Sequence, residues 1–183
     1  MIGDRKVDVF FDEVMLGHDP QVDLPFIPSR VEKHVRTILQ ELDFKWSYPE
    51  HPGRLSAIKT YLDENPIQGI HLTSGASATY KQLSRVHTTS YLDHIFSLAG
   101  KSAWLDSDTT AVSPDSIKAA IAAAGNAIAA VESVVNKKSK SAFALVRPPG
   151  HHAEPVRARG FCLLNNVAVA AAHAQAKLNC GPS

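Results

Sequence analysis

The sequence predicts an α/β fold built on a mainly parallel sheet. Three observations point there. Short β-branched or apolar runs at Val7–Phe11, Gly69–Thr73 and Ala142–Val146 read as strands. Helical spacing fills the intervals between them. The longest helical pattern runs from Ile117 to Val135, directly ahead of the third run, which is the order of a βαβ-like crossover. The 183 residues suffice for one domain with its own core.

Taken in order, Val7–Phe11 is the first strand, and Asp12–Pro28 is a loop punctuated by Gly17, Pro20, Pro25 and Pro28. His18 lies in that loop, where the default role of a lone histidine is structural. Ser29–Leu42 carries Val31, Val35, Ile38 and Leu39 on one helical face. A second helix runs from Leu55 to Leu62, and Gly69–Thr73 forms the next strand. Tyr80–Leu98 holds two short helices broken near His87, with Thr88 or Thr89 as N-cap. His87 and His94 are expected to be packing residues, because no third ligand sits at a useful spacing. Trp104–Val112 reads as a polar loop. Ser113 is the expected N-cap and Pro114 the first residue of the long helix. Ile117, Ile121, Ala124, Ile128, Val131 and Val135 give that helix its apolar face. Gly125 within it costs about 1 kcal/mol of helix propensity relative to alanine, which close packing would justify. Ala142–Val146 is the third strand, and Asn165–Leu178 is an alanine-rich final helix. No internal repeats or low-complexity tracts occur.

Composition excludes several classes. A formal net charge of +1 implies no bulk attraction to nucleic acid or membrane. Cys162 and Cys180 are the only cysteines, which argues against a disulfide scaffold and for a reducing compartment. A cytoplasmic location is therefore expected, with the nucleus as an alternative; Lys137-Lys-Ser-Lys140 reads first as a solvated basic turn. Met1–Lys6 lacks an apolar signal core. Lys118, Asn126 and Glu132 interrupt the long alanine-rich segment, so it is a helix and not a membrane span.

The chemistry concentrates in Phe143-Ala-Leu-Val-Arg-Pro-Pro-Gly-His-His-Ala153 and Gly160-Phe-Cys-Leu-Leu-Asn-Asn166. Pro148 and Pro149 end the strand by fixing φ and removing amide donors. Gly150 lets the backbone approach what lies opposite. His151 and His152 then stand at the C-terminal mouth of a strand, the edge at which open α/β sheets bind ligands. Paired imidazoles suit proton transfer near neutral pH.

Arg147–Ala153 and Gly160–Asn166 together resemble the zinc-dependent histone deacetylase family, including its acetylpolyamine amidohydrolase branch. Phe11–His18, Leu83–Leu92 and Tyr48–Arg54 extend the resemblance, with Tyr48 standing where the family usually has histidine. The resemblance implies a three-layer α-β-α arginase-like deacetylase fold. It implies that residues 1–183 are the N-terminal portion of one deacetylase domain, roughly three strands of a sheet that has eight in the family. By resemblance, His152 is general base and then acid, His151 tunes the site, and Gly160 and Phe161 form a tunnel wall. Asp108, with Asp106 as fallback, would grip the substrate backbone. Arg54 would line an internal channel, or else make a surface ion pair. The family's zinc is held by an Asp-x-His and a later Asp that this sequence does not contain. Zn2+ is thus expected for the complete enzyme, and no residue of this sequence is assigned as a metal ligand. The isolated chain is expected to bind no catalytic zinc and to be inactive. The implied substrates are acetylated protein or acetylpolyamine, and the competing reading is a non-catalytic module that binds a partner.

Overall fold

The computed structural model describes residues 6–20, 48–106, 109–178 and 180–181. The helix expected over residues 29–42 and the side chain of Asp108 lie outside these described residues.

β1 (Val7–Phe10) is the middle of a three-stranded sheet. β2 (Ile70–Thr73) pairs with it on one side and β5 (Ser141–Ala144) on the other, both parallel, with Val9 opposite Leu72 and Phe143. The loop after β1 contains a 3-10 turn, Glu13–Gly17, capped by Asp12. Helix α1 is Gly53–Glu64, α2 is Tyr80–Leu83 and α3 is Thr89–Ser97. The side chain of Thr79 caps α2 in a reciprocal capping box with Gln82, and Thr88 caps α3. α4 spans Ser116–Val135 and α5 spans Asn166–Lys177, with Asn165 as its N-cap.

The polar loop expected at 104–112 is instead closed by a small antiparallel ladder, β3 (Ala103–Trp104) with β4 (Ala111–Val112). Strands of two residues are too short to show alternation. The start expected for α4 also needs correcting. The hydroxyl of Ser113 donates to Gly17 O at 3.2 Å and accepts from Asp19 N at 3.0 Å. Ser113 thus staples the 17–19 loop, and the helix begins at Ser116.

α4 is the structural axis. Ala119, Ala120, Ala122, Ala123 and Ala124 are all buried, so the helix sits close to both the sheet and α5. One flank joins Leu83, Leu92, Ile95, Leu163 and Val169 in the larger core; the other meets Val9, Met15, Leu55 and Leu145. Fully burying each large aliphatic group contributes about 1.5–3 kcal/mol relative to leaving it exposed. Among the described residues α4 is the one helix long and apolar enough to cross a membrane, but 67% of its apolar window is buried in the fold, as in a core helix.

Gly125 marks the tightest approach. A Cβ there would lie 2.0 Å from Ala76 O and 2.6 Å from Ala78 N. Asn126 pins the same segment by accepting from Gly75 N at 2.9 Å. Gly125→Ala is therefore expected to destabilise the protein by about 2 kcal/mol, despite the better helix propensity of alanine. Urea unfolding measures this; an increase in stability would contradict the packing assigned to α4.

Candidate active site

The catalytic-looking loop hangs from β5 and from a buried ion pair. Leu145 N still donates to Phe10 O at 2.9 Å, after which the chain turns inward at Arg147. Arg147 is 2% exposed. Its guanidinium donates from Nε to Glu50 Oε1 at 3.2 Å and from Nη2 to Glu50 Oε2 at 2.9 Å. It also donates to the carbonyls of Met15, His18 and Glu50. The sequence motifs assign no individual role to Arg147 or Glu50. The signal present in them is a charged residue immediately before Pro-Pro, just beyond an apolar strand.

His18 belongs to this buried cluster and does not face solvent. Its Nδ1 lies 2.7 Å from Ser116 Oγ. Ser116 Oγ also lies 2.9 Å from Ser113 Oγ, and His18 Nε2 stands 3.5 Å from Glu50 Oε2 without a hydrogen bond. Burial, and then the charge of Arg147, bring His18 down to about 3 from 6.5, so the ring is neutral and the contact with Glu50 is not an ion pair. The folded state thus binds fewer protons than the unfolded chain below pH 6.5. Stability from this group is complete above that pH and is lost as pH falls towards the folded value. At pH 5 the loss is about 2 kcal/mol. Urea midpoints at pH 7 and pH 5 check this: His18→Asn should narrow the gap between them, and an unchanged gap would remove His18 as its source.

After the cis Arg147–Pro148 bond, Gly150 passes beneath the start of α5. A Cβ on Gly150 would meet Asn166 N at 2.4 Å and Leu164 O at 2.5 Å, the close approach expected of this glycine. His151 and His152 emerge exposed, their ring centroids 4.2 Å apart. Among the described residues no side chain hydrogen-bonds either ring. The backbone of His152 is held by Cys162, its N–H donating to Sγ at 3.4 Å, while Sγ–H donates to Gly160 O at 3.2 Å. Burial raises the thiol's pKa, consistent with a packing role for Cys162.

The ring of His152 lies over Gly160, where a Cβ would stand 2.8 Å from its Cδ2. Gly160 has φ +56° and Phe161, unusually for a residue with a side chain, φ +66°. Left-handed phenylalanine costs on the order of 1 kcal/mol or more and persists only where neighbours hold it. Here Phe161 N donates to Thr110 Oγ1 at 3.1 Å, and the edge of Tyr48 meets the Phe161 ring at 5.4 Å. Tyr48 is itself fixed, donating to Thr109 O at 2.6 Å and accepting from Ala111 N at 3.3 Å. Burial first, with the nearby carboxylates adding, raises its phenol above the ordinary value. Tyr48 thus supports the Phe161 ring.

A cavity of about 600 Å³ brings His152 and Gly160 together and is lined also by Leu105, Asp106, Thr109, Arg157, Ala158 and Arg159; His151 and Phe161 are not in its lining. Asp106 accepts from the amides and hydroxyls of both Thr109 and Thr110. Burial would raise its pKa, but those bonds outweigh it and hold the carboxyl at about 2. Asp106 is thereby a brace for the loop. Arg54 pairs with Glu50 Oε1 at 3.3 Å and also lines a separate cavity of about 450 Å³ with Phe143, Leu145 and Arg147. Its side chain is 60% exposed.

His87, His94 and His173 are accounted for by packing or exposure. His87 accepts from Asn165 N at Nε2, 2.9 Å, and donates from Nδ1 to Glu154 O at 3.1 Å, tying the loop to α5. Burial lowers its pKa, in keeping with that neutral tautomer. His173 contacts Glu132 at 2.8 Å, and His94 is exposed. Among the described residues no group of three or more His, Cys, Asp and Glu side chains could hold a metal ion.

Residues 48–181 match the family model described as a histone deacetylase domain. The chain belongs to the histone deacetylase family. It is 33% identical over 172 residues to histone deacetylase 8 of Arabidopsis thaliana, covering 91% of this chain and 42% of that protein. It is 34% identical over 174 residues to the histone deacetylase-like amidohydrolase of Pseudomonas aeruginosa, covering 94% and 44%. The solved HDA15 HD domain superposes with a TM-score of 0.76 at 33% identity, covering 94% of this chain and 44% of that one. The chain thus spans less than half the length of each of these relatives. Its parallel sheet and helices are those of the arginase-like deacetylase fold.

Proposed function

We propose that this chain carries the proton-transfer part of a zinc-dependent deacetylase site, which hydrolyses N-acetyl amides to acetate and free amine. The observation that carries the reading is the placement of the His152 ring over Gly160, the two lining one cavity. His152 takes a proton from the attacking water and returns it to the leaving amine. His151, its ring centroid 4.2 Å away, is assigned the part of tuning the site beside it. Phe161 offers an apolar face to the methylene stem of a lysine or polyamine. Asp108 is assigned the substrate's backbone amides. The described residues do not by themselves fit a catalytic zinc, so their part is proton transfer and substrate contact.

NMR of the histidine and phenylalanine rings tests the reading. Adding N-acetyl-lysine amide should shift His152 and Phe161 together, and lysine amide should not. An equal response to both, or none, would count against an acetyl-amide site.

A further inference from the structure

The loop from the imidazole pair to the Gly160 turn carries two arginines that the chemistry above leaves unused. Arg157 and Arg159 both line the cavity that holds His152. Their loop is braced: Glu154 N donates to Arg157 O at 3.0 Å, and Arg159 and Cys162 exchange backbone hydrogen bonds at 3.2 and 3.0 Å. Both guanidiniums use the same acceptor atom, Glu154 Oε1, with Arg157 Nη2 at 2.9 Å and Arg159 Nη1 at 3.0 Å. Two cations sharing one carboxylate leave a positive charge uncompensated. The arginine side chains stay 61% and 54% exposed, with donors to spare. Asp106, which lines the cavity where Glu154 does not, offsets part of that charge at a distance, but its oxygens already accept from Thr109 and Thr110. The short-range hydrogen-bonding capacity on this side of the cavity is therefore that of donors in guanidinium forks, which match carboxylate geometry.

We infer that Arg157 and Arg159 form an anion-reading rim that favours acetyl-lysine flanked by acidic residues over polycationic substrates such as acetylpolyamines. The inference rests on the cavity being the substrate site, and it deepens that reading.

The test is fluorescence anisotropy of this chain with four labelled peptides. The central lysine is acetylated or free, and the flanks are Asp/Glu or Lys/Arg. At low salt the acetylated acidic peptide should bind roughly fivefold tighter than the acetylated basic one. The gap should close with added salt and in the R157Q/R159Q double variant. Glu154→Gln, which removes the shared counter-charge, should widen it; a merely structural role for these residues would not move the two variants in opposite directions. Equal binding of the two acetylated peptides overturns the rim and leaves the substrate-site reading standing. Acidic-peptide binding that ignores acetylation supports the rim and contradicts that reading. Binding of none of the four overturns both.

Discussion

His152→Ala is expected to lower kcat for acetyl-lysine hydrolysis by roughly 10²–10⁴-fold, the range for losing a positioned general acid–base. The measurement needs a complete domain. Residues 48–181 of this chain, the span that matches the deacetylase model, can replace their counterpart in the Pseudomonas aeruginosa amidohydrolase, which is 34% identical. KM should change little, because the imidazole acts on the water and the leaving amine and not on the stem gripped by the wall. Stability should also change little, since His152 is exposed and its backbone, not its ring, is bonded to Cys162. His151→Ala should cost less, because its part is electrostatic. Acetate release that survived His152→Ala at more than about a tenth of the parent rate would remove His152 from the proton-transfer role.

The second large effect concerns folding. Arg147→Met is expected to cost about 3 kcal/mol, because it leaves the buried Glu50 carboxylate with only the largely exposed Arg54 as counter-charge. That is a large share of the ~5–15 kcal/mol that holds a domain together. It also leaves the carbonyls of Met15 and His18 without their guanidinium donor. Because Arg147 directly precedes Pro148-Pro149-Gly150, its loss should release the loop that positions the imidazoles. Adding Glu50→Gln should recover part of the loss, since a neutral amide is far less costly to bury than an unpaired carboxylate. Urea unfolding of the single and double variants decides it. A loss under about 1 kcal/mol, or no recovery in the double variant, would show that the pair does not anchor the loop.

Much of the frame was legible because it is local. The three parallel strands announce themselves as apolar runs, and the N-cap at Thr88, one of two candidates with Thr89, uses a short side-chain-to-backbone bond within a few residues. Close approach at Gly150 and Gly125 was also legible from those glycines, but not the partners they meet, the start of α5 and residues 75–78. What stayed hidden depends on partners distant in the chain. Arg147 and Glu50 lie 97 positions apart, and no periodicity links them. Ser113 looks like an N-cap until the 17–19 loop competes for its hydroxyl. The left-handed backbone of Phe161 has no signature in residue type, because phenylalanine is not a residue that favours it. Tyr48 stood out only as a departure, and its use as a brace for Phe161 required the fold.

Acetate release by the chimera that keeps His151, His152, Gly160 and Phe161 intact, read together with its zinc content and its cooperative unfolding, tests the account most directly. The account predicts one acetate per amine liberated from an acetyl-lysine peptide. A chimera that folds cooperatively and holds zinc yet releases no acetate would contradict it.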